Sequence, residues 1–221
     1  MNVNELIQVN KDVFRENLLK YTRKAFLSLP KIENPEILDI GCGTGVPTLE
    51  LARLCKCDIT AIDIDENSLR YLEQKIKHLN LTKKIKTMNC SLFEIELPEN
   101  SFDIIWAEGS IAVIGFKRGL SEWKSLIKNR GFLVLHDGYD NHDEKLKIIK
   151  ETGYELKDYF IISHEKWWYE YYKPWSNQIY HLKNLYQSHN NLNKKLDEEL
   201  KELEFFKKNQ DGSIFYILKK I

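Results

Sequence analysis

Three glycines at alternate positions, with an acid just before them, separate a short apolar run from a helical pattern. The run 37–40 reads as a buried parallel strand that contains Asp39, and Pro47 suits the first turn of the following helix. The glycines are Gly41, Gly43 and Gly45. Glycine allows positive φ and leaves no Cβ between the main chain and a ligand. Strand, loop and helix N-terminus therefore predict a site for a nucleotide-like ligand at the carboxyl end of a sheet.

The spacing of the glycines indicates which kind of nucleotide would bind. A dinucleotide site has the pattern G-x-G-x-x-G, whereas this chain has G-x-G-x-G, and Asp39 would repel a pyrophosphate but favour an ammonium or sulfonium group. Asp63 ends the next apolar strand, about twenty residues later, where such a sheet places the carboxylate that binds ribose hydroxyls. Asp65 and Asn67 are better placed to cap the helix that follows. We therefore assign Asp63 to the ribose.

The loop and a second stretch resemble a known enzyme family. The glycine loop resembles motif I of the class I S-adenosylmethionine (SAM)-dependent methyltransferases, and the chain from Trp106 to Trp123 is similar to the pattern W-S/A-E-G-A/S-I…I-G-F-x-R-G of small-molecule-type members. The resemblance covers roughly residues 20 to 163 and the last strand. It implies an enzyme that transfers a methyl group from SAM to a small-molecule acceptor by in-line displacement, with S-adenosylhomocysteine as the product.

The resemblance, together with the motif positions, implies a set of SAM-binding residues. Ile64 would lie against the adenine face, the Ser91 hydroxyl would accept from the adenine amino group, and the Leu92 N–H would donate to a ring nitrogen. Many family members have an aspartate where this chain has Ser91, which weakens the match locally. The full set is Asp39, Gly41, Cys42, Gly43, Asp63, Ile64, Ser91, Leu92, Glu108 and Arg23, the last toward the methionine carboxylate.

Two side chains at strand ends are the candidate catalytic groups. His136 ends the fifth predicted strand, and its unperturbed pKa lies near neutrality. Glu108 ends the fourth strand, where it could contact a ligand or only support the loop. An oxygen or carbon acceptor would need a base such as these, whereas a neutral amine or thiolate needs mainly proximity and alignment. For His136, the alternative is a histidine that simply terminates a strand. No metal site is predicted, because no His/Cys cluster has zinc spacing and no magnesium cluster is evident.

An aromatic segment and a leucine pattern precede the last strand. The aromatic side chains could line the acceptor site or hold an insertion on the sheet, and the leucines from Leu182 to Leu203 predict one long amphipathic helix. The candidate substrate-binding residues are Trp167, Trp168, Tyr171 and Trp175.

The resemblance implies an α/β fold with a Rossmann-like, doubly wound sheet of seven strands, mostly parallel with the last strand antiparallel beside the fifth. An N-terminal helical cap over 1–35 precedes a SAM-binding domain over 36–163 and 212–221. A helical insertion over 164–211 is predicted to form a lid. Finer expectations include a helix over 120–127 and a turn over 128–131 before the fifth strand.

The composition limits the classes of partner and location. The chain has 221 residues with 33 Lys+Arg and 33 Asp+Glu, so the net charge is zero and predicts no footprint for nucleic acid or an anionic membrane. No apolar run is long enough to span a bilayer and no secretory signal is evident, which favours a cytoplasmic protein with its four cysteines as reduced thiols. The fourth strand lacks the (Asn/Asp)-Pro-Pro-aromatic motif of base methylation.

Three alternatives stay open at this point. A non-catalytic SAM-binding accessory protein would keep the fold, an RNA methyltransferase would keep the chemistry, and a nicotinamide-dependent oxidoreductase would share the sheet and Asp63. The sequence does not specify the methyl acceptor or the oligomeric state.

Overall fold

The computed structural model describes residues 3–208 and 212–221. The chain divides into two units, Met1–Lys20 with Ile162–Gly212, and Tyr21–Ile161 with Ser213–Ile221. The division into a cap, a SAM-binding domain and a lid stays a prediction, and its residues 1–2 and 209–211 lie outside the described part of the chain.

Seven strands among the described residues form one sheet, in the order β3-β2-β1-β4-β5-β7-β6. They are β1 (Glu36–Ile40), β2 (Asp58–Asp63), β3 (Ile85–Asn89), β4 (Phe102–Glu108), β5 (Ile127–Gly138), β6 (Tyr154–Ile162) and β7 (Ser213–Lys220). Strands β1 to β5 pair in parallel, and β7 runs antiparallel to β5. The predicted doubly wound fold, with an antiparallel last strand beside the fifth, is confirmed.

The strand order places the crevice of the sheet. The order reverses between β1 and β4, and ligands in open α/β sheets bind outside the carboxyl ends of the strands at such a switch point. The last four residues of β1 are buried, as expected for a strand covered on both faces. The loop after β1 and the end of β4 therefore meet at the crevice.

The sheet is accompanied by the helices α2 (Leu19–Leu27), α3 (Val46–Leu54), α4 (Glu66–His78), α5 (Ile111–Ile114), α6 (Phe116–Trp123) and α7 (His142–Glu151). Of these, α3 and α4 begin where local signals predict. Pro47 lies in the first turn of α3, and Asp65 caps α4 by accepting from the amides of Asn67 and Ser68. The predicted use of Asp65 as the cap, which leaves Asp63 free for another role, is confirmed.

The helix predicted around 120–127 starts and ends earlier than predicted, and the turn predicted over 128–131 lies inside β5 rather than before it. Helix α6 ends at Trp123, a 3₁₀ turn follows over Lys124–Leu126, and Ile127 already lies in β5, where it pairs with Phe102. The backbone turns within β5 at Arg130, whose φ is 65°. A register shift between Phe102 and Ile104 accompanies the turn, so the chain turns without leaving the sheet.

The other unit is helical. Its elements are α1 (Val3–Arg15), a 3₁₀ turn (Glu16–Leu18), α8 (His164–Trp167), a π-helix (Trp168–Tyr172), α9 (Lys173–Leu185) and α10 (Asn190–Lys208). Its core contains Ile7, Trp175, Ile179, Leu182, Leu192, Leu196 and Leu203. The expectation of one long helix is wrong, because the chain breaks at residues 186–189. The Asn193 side-chain amide donates to the carbonyl oxygens of Tyr186 and Gln187, at 3.0 and 3.1 Å, and ties the start of α10 to the chain at the break.

The cysteine prediction also needs a correction. Cys55 and Cys57 form a disulfide, whereas Cys42 and Cys90 are free. The two paired cysteines flank a single residue between the end of α3 and the start of β2, so their proximity is set by local chain geometry. No helix in the described residues is long and apolar enough to cross a membrane, and a cytoplasmic location stays a prediction.

Candidate functional site

The three glycines of the loop after β1 serve two different purposes. Their φ angles are 73° at Gly41, 53° at Gly43 and 79° at Gly45. A Cβ at Gly41 would lie 2.5 Å from the Ser110 Cβ, and one at Gly45 would overlap the Leu72 side chain. A Cβ at Gly43 would meet nothing within 4 Å. The outer glycines therefore permit close packing, whereas Gly43 presents bare main chain to open space.

Asp63 is oriented toward that open main chain. Its Oδ2 accepts from the Gly43 amide at 2.7 Å and its Oδ1 accepts from the Asp65 amide at 2.9 Å. Each carboxylate oxygen has a further lone pair, so both can accept a second hydrogen bond from a ligand hydroxyl. The structure thus brings together the two motifs that are twenty residues apart in the sequence.

Asp39 lies beneath the loop and is buried. Its Oδ2 accepts from the Thr48 hydroxyl of α3 at 2.6 Å, which ties the end of β1 to the helix. Burial raises the pKa of Asp39 to about 7, the Thr48 hydrogen bond opposes this, and the Glu108 and Asp63 carboxylates raise it further. Cys42 is also buried, and burial raises the pKa of its thiol. The attraction of Asp39 for a cation stays a prediction.

The predicted adenine residues follow Asp63 and β3. Ile64 is 70% exposed, so its apolar side chain is open to a flat ligand surface. Leu92 packs partly against the core, and the Ser91 hydroxyl accepts from the Phe93 amide at 3.3 Å. The Asn89 side-chain amide, a residue that the sequence placed only within a strand, donates to the Ile64 carbonyl oxygen at 2.9 Å. It holds the Ile64 segment at the edge of the crevice.

Glu108 is held by two donors that the sequence did not single out. The Trp106 indole N–H and the Thr22 hydroxyl both donate to Oε1, at 2.8 and 2.9 Å. Its Oε2 lies 4.0 Å from the Nδ1 of His136, directly across the β4–β5 pair. Only a tertiary structure could identify Thr22, because its partner is 86 residues away.

His136 is enclosed rather than open. Its Nε2 lies 2.7 Å from the Ser213 hydroxyl, and its ring stacks on Phe215 with centroids 4.3 Å apart. Burial lowers the pKa of His136 to about 4, so the imidazole is neutral at pH 7. A base with this pKa accepts a proton far less readily than the near-neutral value expected for a free histidine.

Arg23 is anchored by an acid of α3. Its Nε pairs with Glu50, whose side chain is 4% exposed and whose other oxygen lies 3.6 Å from the Arg53 guanidinium. The hydrogen bond and charge of Glu50 raise the pKa of Arg23. The Arg23 side chain remains half exposed. Its predicted contact with a carboxylate is untested, and Glu50 is a supporting residue that periodicity did not reveal.

The four predicted substrate-binding aromatics lie in the helical unit. Trp175 is a core residue whose indole N–H donates to Glu199 at 3.0 Å, which fits the alternative of a packing role. Tyr171 is buried edge-on to Trp167, and Lys207 lies over the Trp168 ring. Contact of these residues with an acceptor stays a prediction. Within residues 3–208 and 212–221, no cluster of three or more metal-ligating side chains occurs.

The family comparison matches the part of the chain that carries this site. Residues 37–131 match the family model described as "Methyltransferase domain". The segment 37–131, which is 95 of the 221 residues, is similar to this family. The seven-stranded sheet has the Rossmann-like fold of such methyltransferases.

Curated relatives share part of the chain. An uncharacterized protein of Haemophilus influenzae is 26% identical over 108 residues, which are 48% of this chain and 43% of that protein. The sterol 24-C-methyltransferase ERG6B of Gibberella zeae is 25% identical over 138 residues, which are 58% of this chain and 36% of that enzyme. The matched region thus spans less than half the length of these relatives.

Solved structures share the fold over nearly the whole chain. The [4+2]-cyclase SpnF has a TM-score of 0.77 at 16% identity and covers 91% of this chain and 80% of its own. The cyclopropane synthase MmaA2 of Mycobacterium tuberculosis has a TM-score of 0.74 at 13% identity, covering 91% and 84%. The phosphoethanolamine N-methyltransferase 2 of Haemonchus contortus, solved with SAM, has a TM-score of 0.73 at 18% identity, covering 93% and 52%. These likenesses establish the fold.

Proposed function

We propose that this protein transfers a methyl group from SAM to a small-molecule acceptor. The observation that carries the proposal is the pairing of Gly43 and Asp63 at the switch point of the sheet: an open, positive-φ glycine whose amide is held by an oriented carboxylate. The methyltransferase-domain match over 37–131 supports the same conclusion.

The residues of the crevice suit a nucleoside with a cationic tail. Asp63 would accept from the ribose hydroxyls, and the exposed Ile64 would cover one face of the adenine. Arg23 would face the methionine carboxylate with its guanidinium fixed on one side by Glu50. When bound, SAM supplies a methyl group on an already activated leaving group, so the protein contributes mainly proximity and alignment.

The chemistry around His136 favours an acceptor that needs no strong base. A neutral, buried imidazole with a pKa of about 4 would not deprotonate an alcohol or a carbon acid effectively at pH 7. A neutral amine or a thiolate would react after alignment alone. Glu108, fixed by Thr22 and Trp106, would then orient the acceptor rather than remove its proton.

Calorimetric titration tests the cofactor assignment. We expect SAM and S-adenosylhomocysteine to bind and NAD not to bind. Asp63→Ala removes hydrogen bonds to a charged acceptor, worth about 1.5–3 kcal/mol, and should weaken SAM binding roughly 10- to 150-fold. Asp58→Ala is the matched control, because Asp58 begins the same strand at its opposite end and is exposed. Binding of NAD alone, or equal effects of the two variants, would overturn the assignment.

Turnover distinguishes an enzyme from an accessory protein. A coupled assay for S-adenosylhomocysteine release, run over a panel of amines, thiols, phenols and RNA, should show release with one of the small amines or thiols. SAM binding without release for any acceptor would support a non-methylating role, as in a cyclase of the same fold. Release that depends on RNA and falls with salt would identify an RNA methyltransferase.

A further inference from the structure

The proposed methyl transfer leaves one chemical group of the chain unexplained. Cys55 and Cys57 are joined as a disulfide with Cα atoms 5.4 Å apart, between the end of α3 and the start of β2. This separation lies within the ordinary range for disulfides. The pair lies at the amino ends of the strands, away from the glycine loop that opens at their carboxyl ends.

The two sulfurs differ in access. Cys57 is 4% exposed, whereas Cys55 is partly exposed and lines a cavity of about 470 Å³. The cavity is walled mainly by Phe26, Leu29, Pro30, Pro35, Leu54 and Ile104. Lys31, Glu33 and Lys56 also line it, so charged side chains of both signs lie on its wall. A cavity of this size admits a small molecule rather than a segment of another protein.

Backbone carbonyl oxygens lie close to both cysteine sulfurs. The Leu51 carbonyl oxygen, in the last turn of α3, lies 3.2 Å from the Cys55 sulfur and 3.7 Å from the Cys57 sulfur. The Leu51 carbonyl oxygen already accepts from the Cys55 amide at 3.2 Å and has a second lone pair, and the Cys55 carbonyl oxygen lies 3.5 Å from the Cys57 sulfur. After reduction, each new thiol therefore has an acceptor within reach, and the chain need not change its course to open the disulfide.

We propose that Cys55 and Cys57 form a reversible thiol–disulfide site whose redox partner is a low-molecular-weight thiol that enters this cavity. The small thiolate attacks the Cys55 sulfur, a mixed disulfide forms there, and the bond to Cys57 breaks with Cys57 leaving as a thiolate that takes up a proton. A second small thiolate attacks the small-molecule sulfur of the mixed disulfide and releases Cys55. Two small thiols are thereby oxidised to their disulfide and the protein pair is reduced, and the reverse sequence restores the protein disulfide.

The sequence offers a direct readout of the pair. Lys56 lies between the two cysteines, so trypsin cleaves there and gives the peptides 54–56 and 57–70, which stay joined only if the disulfide is intact. The full-length protein, purified without reductant, is equilibrated with reduced and oxidised 2-mercaptoethanol at a series of ratios, quenched with N-ethylmaleimide, digested and analysed by mass spectrometry. We expect the joined peptide to disappear as the reduced fraction rises, with the same fraction reached from either direction.

Single substitutions test the difference in access. Cys57→Ser leaves the Cys55 thiol facing the cavity, and it should form a mixed disulfide with oxidised 2-mercaptoethanol. Cys55→Ser leaves the enclosed Cys57 thiol, which should react about tenfold more slowly. Absence of the joined peptide from the unreduced native protein, reduction only after unfolding, or faster reaction of Cys57 would each overturn the proposal. Because no SAM is used, the result is independent of methyl transfer.

Discussion

Replacing Gly43 with alanine tests whether this glycine faces a ligand or only allows close packing. The added methyl group meets no protein atom within 4 Å, so the fold bears only the cost of alanine at a φ of 53°. That cost is about 1–2 kcal/mol. For a chain of this length it lowers the Tm by roughly 2–8 °C. If bound SAM occupies the open space, the added methyl group would crowd the ligand. The free energy of SAM binding should then weaken by about 1–3 kcal/mol, which raises the Kd roughly 5- to 150-fold.

Two control variants isolate the binding term. Asn80→Ala places alanine at a φ of 57° in the exposed turn just after α4 and should cost stability without changing SAM affinity. Gly45→Ala overlaps the Leu72 side chain and should lower the Tm more than Gly43→Ala does. Tm is measured by differential scanning fluorimetry without ligand, and Kd by calorimetry. Wild-type SAM affinity in folded Gly43→Ala would refute the assignment of this space to the cofactor.

Three further predictions concern the cofactor tail, the buried histidine and the helical core. Arg23→Gln should weaken SAM binding by about tenfold yet leave the affinity for methylthioadenosine, which lacks the amino-acid carboxylate, unchanged in parallel calorimetry. The pKa of His136 in the folded protein is about 4, below the ordinary 6.5. The neutral imidazole therefore contributes to the free energy of unfolding above pH 6.5, and this contribution is lost as the pH falls to about 4. Between pH 6.5 and 4, the free energy of unfolding measured with urea should therefore fall less in His136→Gln than in wild type, by up to about 3 kcal/mol. Leu196→Ala, at a fully buried position in the helical unit, should lower the free energy of unfolding by about 2–5 kcal/mol in the same assay.

Each of these predictions can fail in a defined way. An equal loss of both ligands in Arg23→Gln would indicate a structural role, and parallel stability curves for wild type and His136→Gln would contradict the depressed pKa. The histidine test compares wild type with His136→Gln, because other groups also change the free energy of unfolding with pH. Asp39 affects the pH dependence of stability in the opposite direction, because its pKa is raised from 3.8 to about 7. Its contribution to the free energy of unfolding is present below pH 3.8 and is lost as the pH rises toward 7. A loss well under 1 kcal/mol in Leu196→Ala would contradict the described helical core.

Local signals in the sequence were sufficient to predict most strands of the sheet and the starts of the helices that follow β1 and β2. Apolar runs, the glycine spacing after β1, Pro47 in the first turn of α3 and the cap at Asp65 depend on neighbouring residues, so they can be read without tertiary contacts. The position of Asp63 at the end of β2 follows from the same periodicity. The place of the antiparallel β7 beside β5 was predicted from the resemblance to the methyltransferase family, because local signals do not specify the order of strands in a sheet.

The tertiary structure decided what depends on burial and on partners far apart in the chain. Periodicity cannot show that Gly41 packs on Ser110 while Gly43 faces open space, or that Thr22 donates to Glu108. The low pKa of His136 follows from its enclosure, which a strand pattern does not specify. The break after α9 is hidden by a continuous leucine pattern, because buried leucines recur at helical spacing in both of the helices that flank the turn.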